Sequence, residues 1–320
     1  MKKKALITGV AGQDGSYLSE YLISQGYEVH GIVRRNSVAE NQDSRIKSLD
    51  VTTHYGDLLD VPSLTRIISE VKPDEIYNLG AQSHVRVSFD VPSFTIQTNA
   101  MGVLNLLEVC RTLIPNVKFY QASSSEMFGN SIDPDGYQRK TTLMNPTSPY
   151  GCAKVMAYNL VRHYRAAYGM HTCNGILFNH ESPRRGSNFV TNKIVKGAVE
   201  IKKGLRDSLA LGNLDASRDW GHSKDYVRAM HKISNHETPG DWVVATGESR
   251  TIRDMCETTF SYLGLNYKDY VTVDPKYFRP QELDFLKGDS KEIREELGWA
   301  PEYTFESMVH EMVDHWMEIV

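Results

Sequence analysis

Cysteine is scarce in this chain. Four occur among 320 residues, at Cys110, Cys152, Cys173 and Cys256. They form no CxxC pair and no grouping with histidine, which excludes a disulfide framework and a zinc module of the usual spacing. Reduced thiols in a cytoplasmic protein are the expectation, and no metal is expected. Long apolar runs are absent as well, since nothing approaches the ~20 residues of a membrane span. Lys2-Lys3-Lys4 has the charge of a secretion signal, but the apolar run after it breaks at Gly9. There is no basic excess: the formal net charge is −4, which argues against a general binder of nucleic acid or anionic membranes. No internal repeat, low-complexity stretch or long linker occurs. What remains is a composition 40% hydrophobic and 24% charged, sufficient for a large core and for about two domains.

The apolar pattern alternates between two periods. Ala5-Leu6-Ile7-Thr8 reads as a strand, Ser16 to Ile23 as a helix stopped by Gly26, and Glu28 to Val33 as the next strand. Further strands are expected at Glu75–Leu79, Val117–Gln121 and Thr172–Leu177, with a helix from Ala100 to Thr112. Strands alternating with helices predict an α/β fold with a doubly wound parallel sheet. After about residue 180 the regularity fades, and the chain closes on an amphipathic segment from Phe305 to Val320. The expected plan is a Rossmann domain at 1–179 and about 213–248, with a smaller α/β substrate domain at about 180–212 and 249–320.

Gly9, Gly12 and Gly15 sit in the turn between the first strand and the first helix, with Gln13 and Asp14 between them. Glycine there permits a tight turn, lets backbone approach a pyrophosphate and lets helix pack on strand, while the helix N-terminus offers N–H groups and a positive dipole end. The spacing is GxxGxxG, looser than GxGxxG, so its βαβ context carries the reading of a dinucleotide site. An NAD site usually has a carboxylate at the end of the second strand. Arg34 and Arg35 stand there instead, suited to the 2′-phosphate of NADP, and Asp57-Leu58 is placed to flank the adenine.

Ser148-Pro149-Tyr150-Gly151-Cys152-Ala153-Lys154 opens a helix, with Ser148 as N-cap and Pro149 in the first turn. Tyr150 and Lys154 then share one face, a turn apart. A tyrosine is a poor base at neutral pH, and a neighbouring ammonium brings its phenolate into range. Upstream, Gln121-Ala122-Ser123-Ser124-Ser125-Glu126 places hydroxyls and a carboxylate at a strand's carboxyl end, where doubly wound sheets bind ligands.

Glycine turn, serine-bearing strand end and YxxxK together resemble the extended short-chain dehydrogenases/reductases. Asn78-Leu79-Gly80-Ala81-Gln82-Ser83-His84, Gly175 to Gly186, Leu211 to Asp215, Arg218-Asp219-Trp220-Gly221 and Phe278-Arg279-Pro280 resemble, more narrowly, the GDP-mannose 4,6-dehydratase family. The resemblance runs over nearly the whole chain. It implies a lyase that binds NADP and a GDP-sugar and self-associates to a dimer or tetramer, the loop of Arg34, Arg35, Asn36, Ser37 and Arg45 reaching a neighbour's cofactor site in the tetrameric members. It also implies a mechanism. Tyr150, aided by Lys154 and Ser124, deprotonates the sugar 4-hydroxyl as hydride leaves C4. Glu126 removes the C5 proton, water leaves C6, and hydride returns there. Cofactor contacts are implied for Ser37, Leu79, Ala81, Gln82, Ser83, Tyr150, Lys154, His180 and Arg185. Substrate contacts are implied for Asn179, Val190, Lys193, Arg218, Arg279 and Glu282, and Trp220 is read as packing.

Three positions depart from the family pattern. Met144-Asn145-Pro146-Thr147 replaces aromatic residues and an arginine before the catalytic helix, leaving room for a GDP-manno-heptose as alternative substrate. Ser124 replaces the usual threonine, and Asn99 stands where many members have aspartate. An epimerase or decarboxylase of the same family stays open. Glu126 and the Asn179–Gly186 segment argue against the epimerase, and that segment alone against the decarboxylase. A non-enzymatic NADP sensor is opposed by the complete set Ser124, Glu126, Tyr150 and Lys154, because fold by itself does not decide function.

Overall fold

The structure, a computed structural model, describes residues 2–35, 44–278 and 280–320. The first βαβ unit comprises β1 (Lys4–Thr8), α1 (Gln13–Ser24) and β2 (Glu28–Val33). There follow β3 (Val51–Tyr55), α2 (Val61–Val71), β4 (Glu75–Asn78), the short α3 (Val85–Asp90) and α4 (Pro92–Ile96), and α5 (Gly102–Leu113). β5 (Lys118–Ser124), α6 (Pro149–Tyr168) and β6 (Thr172–Leu177) complete the regular part. Beyond it lie β7 (Asn179–Glu181), α7 (Val190–Lys202), β8 (Leu209–Leu211), β9 (Ser217–Arg218), β10 (Trp220–His222), α8 (Ser223–Asn235) and β11 (Asp241–Val244). The last elements are β12 (Arg250–Thr251), α9 (Ile252–Tyr262), β13 (Val271–Val273), α10 (Lys291–Leu297) and α11 (Phe305–Ile319).

Among the described residues, seven strands form one sheet in the order β3-β2-β1-β4-β5-β6-β11, and every pairing in it is parallel. The strand order reverses between β1 and β4, which opens a crevice at the carboxyl ends of the strands. Burial on both faces explains the near-continuous apolar strands. Leu6, Ile76 and Phe119 face α2, α5 and α6, whereas Ile7, Tyr77 and Tyr120 pack with Leu18 of α1 and Met230 of α8. A separate core joins Val195 of α7, Leu209 of β8, Phe260 of α9 and Met312 of α11. Trp220 belongs to that second core and stacks on Phe305 at 5.9 Å between ring centroids.

The expected helix from Ala100 to Thr112 is shorter at its start and has an unusual entry. A π-type turn spans Gln97–Met101, and regular α-helix begins at Gly102. Such single-turn bulges are frequent at functional sites. Here the bulge carries Asn99, whose Oδ1 accepts from Gln82 N at 2.8 Å while its Nδ2 donates to Gln82 O at 2.9 Å. Aspartate could make only the first bond, so Asn99 fixes the chain just past β4 at both its donor and its acceptor.

The smaller elements are tied back by buried carboxylates. Asp225 on α8, 1% exposed, accepts from Glu302 N and Tyr303 N, both at 3.0 Å, and pairs with Arg228 at 2.7 Å. Gly175 on β6 lies closer still to its neighbour. A Cβ there would come 2.1 Å from the hydroxyl oxygen of fully buried Tyr120. Gly175→Ala is therefore expected to destabilise the chain by about 1–3 kcal/mol through overpacking, read as a lower urea midpoint with an unchanged m-value.

Candidate active site

β1 ends at Thr8 and the chain turns through Gly9, whose φ of +68° is left-handed backbone that glycine adopts without a steric penalty. A Cβ at Gly9 would lie 2.9 Å from Gly80 N, and one at Gly15 would lie 2.3 Å from Gly9 O. The turns after β1 and β4 thus meet backbone to backbone, with α1 packed directly beneath. Gly12 caps α1 with no side-chain hydrogen bond, which leaves the first-turn N–H groups to a phosphate. A cavity of about 760 Å³ opens over this turn, and Gly9, Gly12, Arg34, Arg35, Asp57 and Leu58 line it. Both arginines are exposed at its rim. Glycine cradle, free helix N-terminus and rim cations fit a dinucleotide.

A second cavity of about 610 Å³ shares Ala81 with the first. Its floor is the carboxyl end of β5, with Ser124 and Glu126, and the first turn of α6, with Tyr150 and Lys154. Local chemistry sets this arrangement. Ser148 Oγ accepts from Gly151 N at 3.0 Å and Pro149 occupies the first turn, so the helix begins where Tyr150 faces the strand end. Lys154 Nζ lies 5.6 Å from the Tyr150 ring centroid and donates to Ala122 O at 2.8 Å. Ser124 Oγ accepts from Glu126 N at 3.2 Å, which leaves its own proton for the Tyr150 oxygen or a substrate. Burial pushes the Tyr150 phenol up to about 12; the hydrogen bond to Ser124 opposes this, and the Glu126 charge adds to it. Burial likewise draws Lys154 down to about 8, against the attraction of Asp14. Tyrosine and lysine are adjacent as expected, yet desolvation dominates the proton affinity of each.

The opposite wall comes from β7 and the segments after it. His180 Nδ1 meets Phe178 O at 2.7 Å and its Nε2 meets Asp14 Oδ2 at 2.8 Å. Both partners are acceptors in their usual forms, an arrangement that favours the protonated ring. Burial alone would lower its proton affinity, but the Asp14 charge and both hydrogen bonds outweigh that and raise it. Burial also raises Asp14, while the charge of His180, its hydrogen bond and the Arg185 charge together hold it below the usual carboxylate range. Gln13 donates to His180 O at 3.1 Å and accepts from Ser182 at 2.7 Å. The glycine turn is in this way strapped to β7.

Leu79, Ser83, Asn179 and Arg185 line the second cavity as well, as do Val190, Lys193, Arg218 and Glu282. Arg185 lies against Glu181, with Nε 2.9 Å from Oε2, and stacks over Phe189 at 3.7 Å. Lys193 donates to Ala210 O at 2.8 Å and sits 3.7 Å from the Tyr277 ring centroid. Arg218, 6% exposed, donates to Ser217 O at 2.8 Å.

Other expected residues stand apart. Gln13, Gly15 and Gln82 line neither cavity and instead hold neighbouring backbone in place. Ser37 and Arg279 lie outside the described residues. The segment Met144 to Thr147 does not line the cavity either: Met144 packs on the cluster of Met127, Phe128 and Phe178, and Asn145 bridges to Gly129. It supports the catalytic helix from behind, so the room expected there for a larger sugar does not open from it. Sequence reading missed Glu181, Phe189 and Tyr277, and also Ser88, whose Oγ accepts from Tyr150 N at 3.3 Å. A buried serine in the Ser83–Phe89 stretch carries no spacing signal, because the contact spans 62 residues.

Comparison with known proteins agrees with this geometry. The family described as GDP-mannose 4,6 dehydratase matches residues 6–312. GDP-mannose 4,6 dehydratase 1 of Arabidopsis thaliana is 50% identical over 330 aligned residues, covering 99% of this chain and 91% of the relative. The GDP-mannose 4,6 dehydratase of Homo sapiens is 47% identical over 344 residues, covering 99% and 92%. Among solved structures, the UDP-glucose 4-epimerase of Thermus thermophilus in complex with NAD superimposes with a TM-score of 0.86 at 25% identity, covering 99% of this chain and 100% of that one. Shared along nearly its whole length and over its whole fold, these likenesses place the chain in the GDP-mannose 4,6-dehydratase family.

Proposed function

We propose that this enzyme converts GDP-mannose to GDP-4-keto-6-deoxymannose, with NADP as a cofactor that is regenerated in each cycle. The observation that carries the reading is the meeting of Ser124, Glu126, Tyr150 and Lys154 in one cavity that adjoins the glycine turn. NADP, when bound, would supply the hydride acceptor for sugar C4 and the hydride donor for C6. The protein handles the protons. Tyr150 takes the proton of the 4-hydroxyl, Ser124 donates to the same oxygen, and the Lys154 ammonium favours the phenolate. The 4-keto group acidifies C5–H, Glu126 removes that proton, and the 6-hydroxyl departs as water on receiving it. When hydride reaches C6, the proton taken from the 4-hydroxyl in the first step is delivered to C5, which restores Tyr150 and Glu126 to their starting states. Because Ser124, Glu126, Tyr150 and Lys154 are themselves buried, each transfer is made between fixed groups.

Arg34 and Arg35 support NADP over NAD, since guanidinium binds a 2′-phosphate that a carboxylate would repel. Lys193, Arg218 and Arg279 supply positive charge for the diphosphate, and Asn179, Val190 and Glu282 complete the sugar-nucleotide wall. His180, with Gln13 and Asp14, braces the turn that holds the cofactor, and Leu79, Ala81, Ser83 and Arg185 form its nicotinamide side. GDP-mannose is favoured over the heptose analogue because the segment from Met144 to Thr147 stands outside the cavity. The division into cofactor and substrate domains, a cytoplasmic setting and self-association belong to the same reading. It is supported by the two core systems, by four free thiols and by exposed Phe94, Met101 and Met156 on α4, the turn after it and α6. No described helix is long and apolar enough to cross a membrane.

The direct test is product mass. Incubation with GDP-mannose and catalytic NADP⁺ should remove one water per sugar without net build-up of NADPH. Retention of water with intact NADP⁺ binding refutes the dehydratase reading. In Glu126→Gln the first oxidation should survive while turnover falls by ~10²–10⁴-fold, so reduced cofactor accumulates in a single turnover. Arg34→Ala with Arg35→Ala should weaken NADP binding ~10–100-fold, as loss of charge-assisted hydrogen bonds does, and leave NAD binding nearly unchanged by calorimetry. Lys154 loses its proton as pH rises through about 8, and its charged form is the useful one. The value of kcat/KM is therefore expected to fall above that pH, and an alkaline limb unaltered in Lys154→Met would contradict the assignment.

A further inference from the structure

Three buried polar side chains lie at one level across the middle of the sheet. The register pairs Thr8 of β1 with Asn78 of β4, and Asn78 with Gln121 of β5. Their exposures are 1%, 1% and 2%, on the face where Leu6, Ile76 and Phe119 stand two residues earlier. Burying amides there is costly unless they are bonded, and they are bonded in series. Thr8 Oγ1 donates to Asn78 Oδ1 at 2.6 Å, Asn78 Nδ2 to Gln121 Oε1 at 2.8 Å, and Gln121 Nε2 to Ala122 O at 2.9 Å.

Both ends dictate the direction. Thr8 Oγ1 accepts from Leu79 N at 3.1 Å and Gly80 N at 2.9 Å, so its own proton goes to Asn78. At the other end Ala122 offers a carbonyl, which only accepts. The series cannot run backwards, and its last acceptor is the same oxygen that holds Lys154 Nζ at 2.8 Å.

We propose that Gln121, held in place by Asn78 and Thr8, is a positioning residue for catalysis: it fills one lone-pair direction of the Ala122 carbonyl and confines the Lys154 ammonium to the other. The proposal rests on the dehydratase reading for its kinetic consequence but not for its geometry. Gln121 and Asn78 line neither cavity, so they act through the lysine alone. Thr8 precedes Gly9, and the two N–H groups it accepts belong to the turn that touches Gly9. One series of bonds therefore joins both turns of the nucleotide cavity to the catalytic helix. The charged groups facing Tyr150 and Lys154 are Glu126 after β5, Asp14 on α1 and Arg185 after β7, and substitution at Gln121 removes none of them.

Two variants test this. Gln121→Leu keeps the bulk and deletes the donor. Gln121→Glu, when protonated, keeps the acceptor for Asn78 and the donor for Ala122. Gln121→Leu is expected to lower kcat about 10²-fold, as small misplacements of catalytic groups do, with KM for GDP-mannose and Kd for NADP within about 2-fold of wild type. The acid limb of its kcat profile should move to higher pH, because a displaced ammonium no longer favours the phenolate. Gln121→Glu should recover rate on the acid side of its own ionisation. A rate loss that follows the folded fraction in a thermal melt, with the acid limb unmoved, would overturn the proposal, as would wild-type kcat in Gln121→Leu. A crystal structure of Gln121→Leu with NADP reads the geometry without turnover. Nζ shifted off the Ala122 carbonyl supports the proposal even if wild-type protein fails to dehydrate GDP-mannose, a failure that sinks only the functional reading. Nζ left where it is refutes the proposal.

Discussion

An ammonium group with 5% exposure has lost nearly all of its water, and no described carboxylate bonds it directly. Its partner is the backbone carbonyl of Ala122. Much of the architecture serves to make that situation tolerable. The carbonyl must stand at the carboxyl end of a central strand, the helix carrying the lysine must start within one turn of it, and the sheet must be parallel so that neighbouring strands end at the same crevice. The Ser148 cap sets the rotational phase of α6, so that the lysine and the tyrosine share the face turned to the strand. Burial then weakens the hold of Lys154 on its proton and strengthens that of Tyr150.

A second constraint crosses between the two parts of the molecule. Asp14 stands in the glycine turn, His180 on a short strand beyond the regular sheet, and their contact spans 166 residues. With Phe178 O behind the ring and Asp14 in front of it, His180 holds its proton more strongly than a free imidazole does. A cation–anion pair of this kind is worth little as net stability, because desolvation offsets attraction. Its value is in registration: the β7 wall of one cavity is held to the glycine turn that lines the other. The ring of Tyr226 stacked on His180 at 4.4 Å keeps the imidazole flat against the core.

Local patterns in the sequence predict local structure well here. The individual strands of the first βαβ unit, the cap at Ser148, the Tyr150–Lys154 face and the glycine turn each depend on residues fewer than ten apart, where spacing translates directly into geometry. The π-type turn at Gln97–Met101 escaped, and its Asn99 bonds the backbone of Gln82, 17 residues away. The series from Thr8 to Gln121 escaped because strand register joins residues 70 and 43 positions apart. The segment from Met144 to Thr147 shows the converse error. Nearness in sequence to the catalytic helix suggested nearness to the sugar, yet Pro146 and Gly129 turn the chain behind that helix. Polar residues on the core-facing phase of adjacent strands, as at Thr8, Asn78 and Gln121, were the available sign of a bonded row.

The groups at the rim of the nucleotide cavity and those beneath it differ in how tightly the fold holds them. Arg34 and Arg35 project from the rim of the cavity, exposed and beyond the last residue of β2. Exchanges at such positions usually change stability by less than about 0.5 kcal/mol. Thr8, Asn78 and Gln121 are interlocked below the surface, and replacing any one of them strands its neighbours. A lineage with this fold can therefore drift between phosphorylated and unphosphorylated dinucleotides by piecemeal change at the rim, while the machinery of proton transfer is inherited as a block.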